Sequence, residues 1–325
     1  MGVGQNPTLS IVVIGKNAAH NLPRVFNSLK PLAEIVDTET IYVDSSSTDS
    51  SIEVAKVFSS KVLRLAESKN LSASAGRYVG TLVACGAWIL YLDEDMELTP
   101  KFCELIGLFI DPKSREPKVC GYIGRYDSYY NDGSIRRNQE RQNVKQRQAK
   151  CIGGGVLLLR EAVLAAGNWD YRVFSNEELD LYTRLRNIGY YIKYINVLML
   201  VHHTQRCPRA KLLLGLFVPT STVGNKYFGI GQIIRSRARK GSLLSFVRFF
   251  PYPFVYLGLL LLGILWGCIA TPFQELSILF FLSALLYVIL TKGATFLIVY
   301  LAFIPQACIG FFRYPCSWEP SYEEV

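Results

Sequence analysis

The chain predicts an α/β fold: a mostly parallel sheet flanked by helices, followed by an interfacial helix and C-terminal transmembrane helices. Three observations carry that expectation. Up to Thr204, short apolar runs alternate with helix-like segments, the pattern of βαβ units around a parallel sheet. One of these runs, Ala87-Trp88-Ile89-Leu90-Tyr91-Leu92-Asp93-Glu94-Asp95, ends in three acids. Beyond Phe249 the sequence is almost continuously apolar.

The elements follow in order. Leu9 to Ile14 reads as a first strand, too short for a signal peptide, and no charged leader precedes it. Asn21 to Lys30 predicts a helix, and Thr40 to Val43 a strand ending at Asp44. Thr48 to Phe58 predicts a helix with Asp49 and Glu53 suited to its first turns. Lys61 to Leu65 is a third strand, Leu71 to Ala84 a helix carrying Arg77, and the acid-tipped run a buried strand. Residues 125–150 lack apolar periodicity and read as a loop, or as a flap over an acceptor. Cys151 to Leu159 resumes strand character, its three glycines (153–155) marking a place where backbone approaches something closely. Glu178 to Ile188 predicts a helix, and Tyr190 to Val201 a strand reaching His202 and His203.

Ligands of open α/β sheets bind outside the carboxyl ends of the strands, where the acidic tip falls. Alternation lets Asp93 and Asp95 point the same way and serve one hard cation, with open positions for phosphate oxygens. A strand followed by a solvated acidic turn is the competing reading.

Charge and hydropathy divide the chain. The predicted organisation is a catalytic domain over 1–205, a basic juxtamembrane segment over 206–250, a transmembrane region over 251–313 and a tail over 314–325. Arg206, Arg209, Lys211, Lys226, Arg235, Arg237, Arg239, Lys240 and Arg248 match the whole net charge of +9, and no acid lies among them. Cations beside apolar spans mark the cytoplasmic side and attract anionic headgroups, a better account than nucleic-acid binding. The run 254–270 is long enough, with its flanks, to span a bilayer; 276–291 and 294–312 are marginal, so two or three segments fit. The eight cysteines form no CxxC pair, which argues against a zinc knuckle or redox motif.

Four segments then resemble, in order, the motifs of inverting family-two glycosyltransferases with the GT-A fold. Val43-Asp44-Ser45-Ser46-Ser47-Thr48-Asp49 is similar to VDDGSTD, and Asn70 to Gly80, with Ser72, Ala75 and Arg77, to NxGxSAARNxG. Asp93-Glu94-Asp95 fits DxD, and the stretch from Asn176 to Leu185 is similar to EDxxLxxRL. The resemblance implies that Asp44 accepts from the nucleotide base and Arg77 donates to base or phosphates. It also implies that Asp93 and Asp95 hold Mn2+ or Mg2+, with a histidine such as His203 completing the shell. The second acid of the ED pair, here Glu178, is implied as the general base, with Glu177 and Asp180 as substitutes; Glu stands where Asp is usual. Gln232-Ile233-Ile234-Arg235-Ser236 resembles the QxxRW of processive relatives without its Trp, which implies donor contacts from Gln232 and Arg235. Gly224 to Gly231 is similar to a segment of succinoglycan-type membrane glucosyltransferases.

Together these imply an integral membrane enzyme with a cytoplasmic catalytic domain. It would transfer a sugar, hexosyltransferase-like, from a nucleotide-diphospho-sugar to a polyprenyl phosphate or polyprenyl-diphosphate-linked glycan, with inversion and a divalent metal. A processive polysaccharide synthase and a catalytically inactive nucleotide-sugar-binding scaffold are the alternatives.

Overall fold

The computed structural model describes residues 8–137, 147–149, 152–206, 225–251, 254, 258, 303 and 305–325. The chain divides into two units, one formed by 1–208 together with 315–325 and the other by 209–314.

In the first unit, β1 (Leu9–Gly15), β2 (Thr38–Asp44), β3 (Lys61–Leu65) and β4 (Trp88–Asp93) pair in the parallel order β3-β2-β1-β4. Their crossovers are α1 (Leu22–Ile35), α2 (Ser51–Phe58) and α3 (Ala73–Val83). Every residue of β1 is buried, as a strand covered on both faces requires. In α1 the buried Leu22, Val25, Phe26, Leu29 and Leu32 recur at helical spacing and form one core-facing stripe. Helix α2 starts at Ser51, later than predicted, because residues 45–50 are spent on a loop.

Beyond β4 the pairing changes. After β5 (Met96–Leu98) and α4 (Pro100–Ile110) come β6 (Val119–Tyr130), β7 (Ile135–Arg137), β8 (Arg147–Gln148) and β9 (Val156–Leu159). Then follow α5 (Arg160–Ala165), α6 (Glu177–Asn187) and β10 (Tyr191–Thr204). Strand β9 inserts antiparallel between β4 and β6, β10 runs parallel to β6, and β5 closes that edge antiparallel. The sheet is therefore mixed, not mostly parallel. An apolar run such as Val156–Leu159 states that a strand is buried, not which way it points.

The expected loop over 125–150 is also partly strand. Strand β6 continues to Tyr130 and turns through Asn131–Ser134 into β7, with Asp132 accepting from the Ser134 amide at 2.9 Å and Gly133 at φ +79°. The outer half of β6 has one buried residue, Ser128, among half-buried and exposed ones, so it carries no apolar run to read. Residues 138–146 lie outside the described part.

The C-terminal residues, expected as a tail, belong to the sheet. Strand β11 (Tyr322–Glu324) pairs antiparallel with β3, Trp318 packs edge-on against Tyr171, and the Tyr78 hydroxyl donates to Glu319 at 3.3 Å.

In the second unit, α7 (Asn225–Arg239) and α8 (Leu243–Phe249) are followed by a helix over 305–312. A Cβ on Gly231 would collide with the Ala307 carbonyl, and one on Gly310 with the Phe228 carbonyl, so glycine permits backbone-to-backbone contact. The predicted transmembrane runs lie almost wholly outside the described residues. Among the described residues no helix is long and apolar enough to cross a membrane.

Candidate active site

Register brings three strand ends together: Gly15 lies beside Asp44, and Ile14 beside Asp93. These are carboxyl ends, and β1 is where the chain order turns from β2 on one side to β4 on the other. Asp44 is fully buried there. It accepts from the Ser47 amide at 2.7 Å, from the Ser47 hydroxyl at 2.5 Å and from the Tyr42 hydroxyl at 3.3 Å. Ser47 Oγ in turn accepts from the Asn17 amide at 2.8 Å, and Asn17 Oδ1 from the Thr48 amide at 2.8 Å. Asp44 thus curls its own loop and locks it to the loop after β1. Its oxygens are spent on backbone and hydroxyls, where the family resemblance implied a contact with a nucleotide base.

Helix α3 delivers Arg77. Ser72 caps it by accepting from the Ala75 amide at 3.3 Å. Ser74 Oγ donates to the Asp170 carbonyl at 2.8 Å, fastening α3 to the segment after α5. The absence of a side chain at Gly76 and Gly80 lets α3 lie directly on Ile14 and Val12. Arg77 is 1% exposed. Its Nη2 binds Asp93 Oδ1 at 2.6 Å, its Nη1 binds Glu177 Oε1 at 2.6 Å, and Glu178 Oε1 stands 3.8 Å from Nη1. Trp169, itself buried, lies under the guanidinium at 5.2 Å. Opposing acids hold the Arg77 pKa above its ordinary value although burial pulls it down. Arg77 therefore presents its charge to three carboxylates.

The acidic tip splits into two sides. Asp93 belongs to Arg77. Asp95 Oδ2 meets His202 Nε2 at 3.0 Å, both side chains about a quarter exposed. Hydrogen bonding to Asp95 raises the His202 pKa from its ordinary value against the opposing effect of burial. His203, expected beside the metal, instead bonds Glu97 Oε2 at 2.9 Å and packs against Tyr129. Alternation along β10 fixes that the two imidazoles diverge; only the register with β5 decides which one meets Asp95. Between the aspartates, burial and then the charges of Asp93 and Asp95 push Glu94 up to about 7. Among the described residues no group of three or more His, Cys, Asp or Glu side chains is placed to hold a metal ion.

Helix α6 supplies the remaining acids. Asn176 precedes it in the left-handed region at φ +59°, which turns the chain so that the first helical residues face Arg77. Burial and then the neighbouring Glu178 push Glu177 up to about 8, against the pull of Arg77. Glu178 keeps 23% of its side chain open. Asp180 has no exposed surface and pairs with Arg184 one turn on, at 2.8 Å. Arg184 Nη1 also donates to the Ala166 and Asn168 carbonyls. That ties Asp180 to the wall of the fold and not to the other acids.

Three contributors were missed in the sequence: His202 as the partner of Asp95, Trp169 beneath Arg77, and Gly154 above it. A Cβ on Gly154 would collide with Asp93 Oδ2 and lie 3.0 Å from Arg77 Nη2. The glycine run signalled a close approach, and that approach is to Asp93 at Gly154 and to Leu200 at Gly155. Gln232 and Arg235 lie on α7 in the second unit, where Gln232 is buried and Arg235 stacks on Phe311 at 4.8 Å.

The family model for glycosyl transferase family 2 matches residues 10–179, and the chain belongs to that family. Solved structures share its α/β fold. S. aureus TarS aligns with a TM-score of 0.50 at 13% identity, over 71% of this chain and 43% of TarS. A TarS 1–349 structure aligns at 0.50 and 13% over 75% and 81% of the two chains. GalNAc-T7, with UDP, GalNAc and Mn2+, aligns at 0.50 and 16% over 74% and 53%. This chain thus spans less than half of that TarS chain. No curated protein matches it in sequence.

Proposed function

We propose that the chain is an inverting, metal-dependent glycosyltransferase using a nucleotide-diphospho-sugar, acting at the cytoplasmic face of a membrane on a lipid-linked acceptor. One observation carries the transfer: the loop after Asp44, the acidic tip and the first turn of α6 converge at the carboxyl ends of β1, β2 and β4. The Asp95–His202 pair, about a quarter exposed, would hold Mn2+ or Mg2+. Asp95 and His202 would supply a carboxylate oxygen and an imidazole nitrogen to such an ion, which would leave its other positions to water and phosphate. The negative charge that lifts Glu94 favours a cation at the same place. When bound, such an ion neutralises charge developing on the departing diphosphate.

Glu178 is the base of this reading. With a glycan acceptor it takes the proton of the hydroxyl as that oxygen bonds to the anomeric carbon and the bond to the nucleoside diphosphate breaks; a polyprenyl phosphate would attack through an oxygen already ionised. Asp44 and Asn17 hold the loop that lies beneath the nucleotide. GalNAc-T7, crystallised with UDP, GalNAc and Mn2+, supports a nucleotide-sugar donor and a divalent ion for the shared fold.

The lipid acceptor, polyprenyl phosphate or a polyprenyl-diphosphate-linked glycan, is supported by the acid-free basic segment and by the apolar runs that follow it. Leu244 and Phe312 of the second unit are 85% and 82% exposed, as lipid-facing side chains would be. Residues on both sides of the apolar runs, up to Thr204 and from Tyr322, sit in one sheet. Any membrane path between them would return to the side it left.

Membranes bearing the full chain, given a panel of radiolabelled nucleotide sugars, are expected to pass one label into the organic-solvent phase. Asp95→Ala is expected to abolish that transfer while the protein still inserts. Transfer to soluble acceptors alone would remove the lipid part.

A further inference from the structure

We propose that Arg77 is a positioning residue for the transfer step: its guanidinium sets the distance between the acidic tip of β4 and the first turn of α6, and thereby where Glu178 stands. The inference rests on the reading above, in which Glu178 is the base.

Arg77 lies 16 positions before Asp93 and 100 before Glu177, and it binds both at 2.6 Å through different nitrogens. No helix or strand connects those two carboxylates directly; the two arms of the guanidinium do. The group is 1% exposed, so it has no open face for a base or a phosphate. It is also held flat, with Trp169 at 5.2 Å and the Gly154 backbone close to Nη2. Rotation that would free one arm for substrate is blocked. Glu178, 3.8 Å from Nη1 and partly open, lies within reach of the cation without the short contact made by Glu177. The guanidinium thus restrains the helix through Glu177 and leaves the next carboxylate facing outward. A planar fork holds two carboxylates apart on separate nitrogens; an ammonium, with its three donors on one nitrogen at the end of a flexible stem, cannot keep that separation.

The test uses the full chain in detergent, with Mn2+–UDP binding by calorimetry and turnover of the nucleotide sugar that the membrane assay identifies. For Arg77→Lys, UDP affinity and donor KM are expected within about threefold of the parent, while kcat falls about 100-fold, the order expected when a base is misplaced by about an ångström. Glu177→Gln retains an acceptor for Nη1 and is expected to lose about tenfold in kcat, again at constant KM; it decides the matter should Arg77→Lys not fold. A loss appearing in UDP affinity and KM would make Arg77 a donor contact and overturn the proposal. So would a kcat within threefold of the parent in both variants. No turnover by the parent protein, by contrast, removes the transferase reading itself.

Discussion

The two sides of the acidic tip handle charge in opposite ways. On one side Arg77 and Glu177 are buried beside Trp169 and Gly154, and Arg77 reaches out to Asp93, whose side chain is 27% exposed. On the other, Asp95 and His202 stand about a quarter exposed and pair across a single contact. One residue separates Asp93 from Asp95, and their side chains are equally exposed, at 27% and 26%, yet one is bound to a buried arginine and the other to a partly exposed histidine. The two acids of the DxD are thus equally open and differ in their partner: Arg77 holds the first and His202 the second.

The largest break in this comparison is expected from Arg77→Ala. It leaves the buried Glu177 and the partly exposed Asp93 without their cation; removing one partner of a fully buried ion pair typically costs about 3–5 kcal/mol, and the opening at Asp93 puts this loss at the lower end, about 3 kcal/mol. Denaturant unfolding of residues 1–208 within the full protein is the measurement. A loss under about 1 kcal/mol would mean that water reaches the cluster and that it is not closed.

Asp95→Asn is expected to do the reverse. The exposed pair contributes little to folding, so the melting temperature should move by no more than about 2 °C. Transfer should fall by about 10²–10³, the usual cost of losing one preorganised electrostatic partner. A variant that melts early and still transfers would reverse the roles given to the two sides.

Asp180 sharpens the comparison from within α6. It is as buried as Glu177, but its cation sits one turn away on the same helix, whereas that of Glu177 comes from α3. Asp180→Asn is accordingly expected to cost about 1–3 kcal/mol of stability with kcat per folded molecule unchanged. A selective loss of kcat would place Asp180 among the reacting groups.

How much of this was legible beforehand differs by level. The parallel half was readable, because β1 to β4 are apolar runs of the length and spacing that βαβ units impose. The antiparallel half was not: strand direction at β9 and the Tyr-rich outer half of β6 leave no periodic signal. Residue types at the site were readable from motifs, and Asp93, Arg77, Glu177 and Glu178 do come together. Their division of labour was not, since burial of Arg77 depends on Trp169 and Gly154, which lie far from it in sequence. The choice between His202 and His203 turned on a one-residue register that no local pattern encodes.

The most direct probe of the buried pair is the pH dependence of its stability. Glu177 sits at about 8 in the folded protein against an ordinary 4.5, raised first by burial and then by Glu178, and lowered by Arg77. Between those values the unfolded chain has released a proton that the folded protein keeps. Raising the pH through this window therefore favours unfolding, so the stability tied to neutral Glu177 is complete below about 4.5 and lost towards 8. Glu177→Gln cannot ionise and escapes that loss. Its melting temperature relative to the parent should rise steadily between pH 5 and pH 8, whatever its constant offset from repacking. A difference that stays flat would mean that Arg77 keeps Glu177 ionised throughout. Asp93 and Glu177 would then stand as two full negative charges on one cation, and the burial of Arg77 and Glu177 would be what sets this side apart from Asp95 and His202.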